Sequence, residues 1–219
     1  MVDGDKRGRN AAIGAAGGAL VGGAAGYYTE RQKQISDDKQ RIASYAADID
    51  KSAADLDRTT QYAKASQSCY QREFASLIQN RKANRINDTE GRKRLAEIVS
   101  GLQESNNLLT AVNGRLGENL NNYTQAYEQD LKQVGVQRSQ VVAAVEPPKA
   151  TGKAAGKKAS SKASSTVPSE AVTTEKTLQN ASSKKAQAQQ VAKAGTDQVN
   201  SMCRNPDMGD WAPVPCPNV

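Results

Sequence analysis

The sequence predicts an all-α fold: an elongated helical hairpin or coiled coil continuing from a short glycine-rich helix. Three observations lead there. Apolar residues recur at seven-residue intervals through two long stretches, and the first proline is Pro147, so nothing of that kind interrupts a long helix before it. The 219 residues include one Trp and one Phe, and the apolar fraction is 37%, below the ~45–50% of ordinary globular domains. Much of that fraction is Ala, which suits narrow helical seams better than a broad core.

The first element follows a basic flank, residues 1–10, and spans Ala11 to Tyr28. Within it Gly14, Gly18, Gly22 and Gly26 stand four apart. On a helix this spacing forms one stripe without side chains, along which a second helix backbone can approach closely. Each Gly costs a water-exposed helix ~1 kcal/mol relative to Ala, so lipid or a partner helix has to hold the segment. A signal peptide, a short membrane span and a helix-packing segment all fit parts of the pattern. The strong hydrophobes are only Ile13, Leu20 and Val21, too few for a good signal-peptide core. A span would have Lys6, Arg7 and Arg9 before it and Tyr27 and Tyr28 at its far interface. A flexible Ala/Gly linker is the plain alternative.

The run RNAAIGAAGGALVGGAAGYYTERQKQ, residues 9–34, resembles the glycine-zipper segments of bacterial outer-membrane lipoproteins. The resemblance implies a place in the cell envelope, at the outer membrane or in the periplasm, with membrane lipid, further copies or other envelope proteins as partners. Two parts of the family pattern are missing. No lipobox cysteine precedes the zipper, and no OmpA-like peptidoglycan-binding domain follows it. The expectation is therefore a mature sequence whose export signal lies outside this chain.

Residues 29–146 read as the hairpin. One seam runs Ile35, Ile42, Ile49, Leu56, Ala63, Tyr70 and Leu77, with Tyr45, Ala46, Ala53, Thr60 and Phe74 as companions. A second runs Leu95, Leu102, Leu109, Leu116 and Tyr123, broadened by Ile98, Val99, Val112, Leu120, Tyr127, Leu131 and Val134. Between them Asn87, Asp88 and Thr89 are favoured N-caps, so a turn is expected near residues 84–89. The arms, roughly Thr29 to Arg85 and Thr89 to Val145, are then nearly equal. Equal arms favour an antiparallel pairing; a parallel oligomeric coiled coil is the alternative.

Glu146, Pro147 and Pro148 close the second arm. Residues 147–168 form a Lys/Ala/Ser segment without acidic residues until Glu170, a composition that cannot build a core and reads as a disordered linker. Lys149, Lys153, Lys157, Lys158 and Lys162 are its candidate contacts with an anionic polymer, lipid or nucleic acid. Residues 169–202 read as a weak helix with sparse large apolar residues: Val172, Leu178, Val191 and Val199. In the tail, 203–219, Cys203 and Cys216 bracket a Pro-rich loop that a disulfide would close in an oxidising compartment. Free thiols throughout are the alternative, and Cys69 takes no part in the proposed bridge.

The net charge is +7 and His is absent, which removes the commonest general base and metal ligand. No phosphate-binding Gly-Lys-Ser/Thr loop appears. The sequence therefore implies no catalytic residues, cofactor, metal or small-molecule substrate. The leading expectation is a non-enzymatic envelope scaffold, membrane-associated or oligomerised through its zipper. A soluble polyanion- or nucleic-acid-binding module and a zipper-based pore-forming effector are the alternatives.

Overall fold

The computed structural model describes residues 35–145 and 167–211. The glycine register, the five linker lysines and Cys216 lie outside the described residues. The described chain folds into α1 (Asp38–Lys82), α2 (Asp88–Gln133), α3 (Arg138–Val145), α4 (Ser169–Cys203) and a 3-10 segment, Pro206–Trp211. No strand occurs among the described residues, so the fold is all-α.

Local chemistry sets the helix boundaries. Asp37 caps α1, its side chain accepting from the Gln40 amide at 2.9 Å. At the other end Asn84 takes φ +51°, and the amides of Asn84 and Arg85 turn back to the carbonyls of Arg81 and Asn80 at 3.0 and 2.9 Å. This paired return satisfies carbonyls that the helix end would otherwise orphan. Asn87 then caps α2 by accepting from the Glu90 amide at 2.9 Å. The turn thus occupies residues 83–87, with a specific hydrogen-bonding device on each side.

The second arm departs from expectation. It was expected to run unbroken to Val145, but α2 stops at Gln133 and α3 begins at Arg138. Gly135 is the cause, at φ +75°, a left-handed conformation that glycine adopts without a Cβ penalty. The amides of Gly135 and Val136 return to the carbonyls of Lys132 and Leu131 at 3.1 and 2.9 Å. Leu131 and Val136 are both buried, the apolar pair that commonly accompanies this helix end. Gln140 restarts the helix by accepting from the Gln137 amide at 2.9 Å.

The chain forms two compact units, with the divisions falling inside α1, α2 and α4. Among described residues, one contains 35–54, 115–145 and 167–184, and is called here the Arg41 unit. The other contains 55–114 and 185–211 and is called the Trp211 unit.

In the Arg41 unit, Ile42, Tyr45 and Ile49 of α1 are buried together with Leu120, Tyr123 and Tyr127 of α2 and Ala171, Leu178 and Ala181 of α4. Tyr45 and Tyr123 meet edge to face, their centroids 6.1 Å apart. In the Trp211 unit, one cluster joins Tyr70, Phe74, Leu77 and Ile78 to Leu95, Ile98, Val99 and Leu102. Val199, Met202, Met208 and Trp211 complete it. Within each unit α1 and α2 are antiparallel, as the pairs Arg41–Gln133 and Tyr45–Tyr123 in one, and Tyr70–Gly101 and Arg81–Arg92 about Asp210 in the other, require.

The helix expected to be weak, 169–202, is instead a 35-residue third member of the packing. Thr174, Ala181, Ala188, Gly195 and Met202 stand seven apart and are all buried. Ala171, Leu178 and Val199 share a second seven-residue register and are buried too. Small side chains at these positions let α4 lie close to its neighbours, so the helix needs few large apolar residues. Gly195 shows the closeness: a Cβ there would stand 2.6 Å from Gln67 Nε2 and 2.8 Å from Asn106 Oδ1.

Candidate functional site

The described residues concentrate their polar chemistry in three places, one at the start of α1, one beside α3 and one at the hairpin turn. In the Arg41 unit, the Arg41 guanidinium donates through Nε to Asp130 at 2.9 Å and through Nη1 to the Ile35 carbonyl at 2.9 Å. Its Nη2 reaches Gln133 at 3.0 Å and also pairs with Asp38. Asp130 is buried and accepts a second hydrogen bond, 2.5 Å, from the Tyr45 hydroxyl. The Asp130 hydrogen bond, with Asp38, holds the Arg41 pKa above its ordinary value against the cost of burial. One arginine thus ties the incoming chain at Ile35 to the last turns of α2.

Beside α3, Arg138 makes a two-pronged contact with Glu175, through Nε at 2.9 Å and Nη2 at 3.1 Å. Its Nη1 also reaches Glu128 at 3.0 Å. Glu175 is 2% exposed, and a carboxylate so deep requires a charged, hydrogen-bonded partner. Hydrogen bonding to Glu175 raises the Arg138 pKa. Nearby, the buried Tyr127 hydroxyl donates to the Ala171 carbonyl at 2.8 Å. Burial, assisted by the Glu175 charge, pushes the Tyr127 hydroxyl well above its usual pKa.

At the turn, Trp211 is 2% exposed and folds against α2. Its Nε1 donates to Asp88 at 2.8 Å, and the Arg81 guanidinium lies 4.7 Å from the ring centre, a cation–π contact. Arg81 also donates to the Asp207 carbonyl at 2.7 Å and to Asp210 at 2.8 Å. Lys82 pairs with Asp207 at 2.7 Å and Arg92 with Asp210 at 2.9 Å. Gly91 makes room for the ring, because a Cβ there would lie 2.3 Å from it. Composition leaves the position of this single Trp open; the structure seats it on the body of its own unit.

Farther along the Trp211 unit, Gln67 donates to the Val191 carbonyl at 2.9 Å and accepts through its own carbonyl from Gln198 at 3.0 Å. Asn106 Nδ2 donates to Thr196 at 2.8 Å. These side chains stitch α1 and α2 to α4. Among the described residues, buried Ser105 Oγ, Asn106 Oδ1 and Asn113 Oδ1 find no hydrogen-bond partner, a local cost of ~1–3 kcal/mol for each such group.

Of the expected site residues, only Cys203 is described. It ends α4, partly buried against the Trp211 cluster. Its expected partner Cys216, the zipper glycines Gly14, Gly18, Gly22 and Gly26, and Lys149, Lys153, Lys157, Lys158 and Lys162 lie outside the described residues. No group of three or more acidic or Cys side chains suited to a metal occurs among the described residues, and no described helix is long and apolar enough to cross a membrane. The arginine clasps escaped the sequence reading because Arg41, Arg138 and Glu175 look like ordinary solvated charge. Their signal was position: Glu175 and Thr174 both fall on the Ala-rich stripe of α4. No protein-family model, curated protein or solved structure matches the chain.

Replacing Gly91 with Ala forces the ring of Trp211 from its seat. Because Trp211 is the single Trp, its fluorescence should shift to longer wavelength, with a stability loss of about 2–4 kcal/mol in urea melts. An unchanged emission maximum would refute the close seat. Tyr127 carries a pH dependence. The unfolded chain releases this proton near ~10 while the folded chain retains it, so its stabilising contribution is complete below that pH and declines above it. Tyr127→Phe should lose about 1 kcal/mol at neutral pH and show a shallower alkaline decline than wild type. Parallel stability curves for the two proteins would count against burial as the controlling cause.

Proposed function

We propose that this chain is a non-enzymatic structural protein of the bacterial cell envelope. Its glycine zipper attaches or assembles it at a membrane, and its helical body is presented to the periplasm as a scaffold or spacer. One observation carries the reading: a strict four-residue glycine register leads directly into a helical body that commits its large apolar groups to its own packing.

The arrangement of chain ends supports it. The zipper segment joins the body at Ile35, and the lysine segment leaves at Val145 and returns at Val167, all three within the Arg41 unit. Arg41 ties Ile35 to α2. The starts of α1 and α4 are neighbours, since Lys39 and Asp37 act electrostatically on Glu170. Glu170 is itself held below the ordinary carboxylate range, mainly by hydrogen bonding to its own backbone amide and to Ser169. A membrane holding the zipper would therefore have the lysine segment attached nearby, where anionic headgroups attract polybasic chain by about 1 kcal/mol per Lys or Arg. Two weak membrane signals on one unit combine into a stable association. In the oxidising periplasm a Cys203–Cys216 bridge would fasten the tail that carries Trp211.

The full-length protein from its native host should sediment with membranes and need detergent for release. Gly18→Leu with Gly22→Leu should abolish its cross-linked oligomers. Its non-reduced mass should be lower by two thiol hydrogens than the reduced mass. A detergent-free soluble monomer would refute membrane assembly, and equal masses would refute the bridge.

A further inference from the structure

We propose that the hairpin turn is a second, independent docking surface, fitted to the phosphate headgroups of an anionic phospholipid membrane. Residues 81–94 and 204–210 bring seven basic and four acidic side chains to the turn, a net charge of +3. Three of the four acids are engaged within the turn, and the fourth, Glu90, is exposed. Asp210 is shared by Arg81 and Arg92, Asp207 is paired with Lys82, and Asp88 accepts from Trp211. Arg85, Lys93, Arg94 and Arg204 are exposed and form no salt bridge among the described residues. They belong to one end of the Trp211 unit. Ile86 and Cys203, the neighbours of Arg85 and Arg204, pack against the same cluster that holds Leu95 and Trp211.

The chemistry selects the partner. Three of the four free cations are arginines, whose planar guanidinium groups engage phosphate through two parallel hydrogen bonds. The backbone that carries Arg85, Lys93 and Arg94 is held by the Asn84 return and the Asn87 cap, so these charges stand on a fixed support. The turn offers no stacking platform for bases, because its one aromatic ring, Trp211, is buried. Laterally mobile lipid headgroups can rearrange to meet an irregular set of cations. This surface shares no residue with the zipper or the Lys149 to Lys162 segment, and its existence does not depend on either.

The test uses full-length protein, wild type or variant at the turn, in which Lys149, Lys153, Lys157, Lys158 and Lys162 are replaced by Gln so that the lysine segment cannot capture vesicles itself. It is carried in phosphatidylcholine vesicles if it inserts and free in solution if it does not. Labelled target vesicles contain either phosphatidylglycerol or phosphatidylcholine alone. Wild type should capture the phosphatidylglycerol vesicles only, with capture falling as salt rises. Arg85→Glu, Lys93→Glu and Arg94→Glu together should weaken capture by at least about 100-fold, at about fivefold for each cation removed with the added repulsion on top. The matching triple Gln variant, which adds no new repulsion, should weaken it in the same direction while retaining the wild-type helical circular dichroism. Capture unaffected by both variants would overturn the proposal, as would duplex DNA binding at the turn without vesicle capture. Failure to insert into the carrier vesicles would refute the zipper reading alone, because the soluble arm still reads the turn.

Discussion

Both units depend on how closely α4 approaches α1 and α2. A chain with so few large hydrophobes cannot fill a wide interior, and interiors tolerate few voids. Thr174, Ala181, Ala188 and Gly195 resolve this by bringing backbone rather than side chain to the interface. Large residues on α1 and α2, such as Ile42, Leu56, Leu102 and Tyr127, then supply most of the apolar volume. The close approach also lets short polar side chains span helices: Thr174 donates to the Ile42 carbonyl at 2.9 Å and Asn106 reaches Thr196 at 2.8 Å.

That proximity has an electrostatic consequence. Where charge enters the packing it comes fully partnered, as with Asp130 between Arg41 and Tyr45, and Glu175 in the fork of Arg138. Such pairs add little net stability compared with apolar substitutes, but removing one partner typically costs about 3–5 kcal/mol. They therefore discriminate between registers of the three helices more than they strengthen one. The turn uses the same chemistry differently. Its ion pairs lie at the surface, where exposed pairs contribute about 0–1 kcal/mol, and burial of the Trp211 ring over Gly91 supplies most of the docking. Asp207 and Asp210 pair with Arg81, Lys82 and Arg92, while Arg85, Lys93, Arg94 and Arg204 remain exposed.

The protein emerges as a helical body whose large apolar groups are packed internally, with segments of distinctive composition attached to it. The residues that carry distinctive composition, glycine-rich and lysine-rich, join one unit, whereas the Trp-bearing tail closes on the other.

Much of the helical body was legible because heptads of large residues report burial directly. From Ile42 to Leu77, each seven-residue seam position is buried, as are Leu95, Leu102, Leu109, Leu116 and Tyr123. The stop at Gly135 was less legible, since the chain holds 17 glycines and only backbone geometry shows which one turns left-handed. The third helix was the least legible. Alanine is common on exposed and buried helix faces alike, so a small-residue stripe becomes a signal only when neighbours are known to lie against it. The sequence by itself determined the helical class, the two seams and the capped turn, because period and capping are local properties. Only the tertiary structure decided that α4 completes the packing, that Arg41 and Arg138 are clasps, and that Trp211 is seated over Gly91. Each of those depends on residues many positions apart, whose meeting no local pattern encodes.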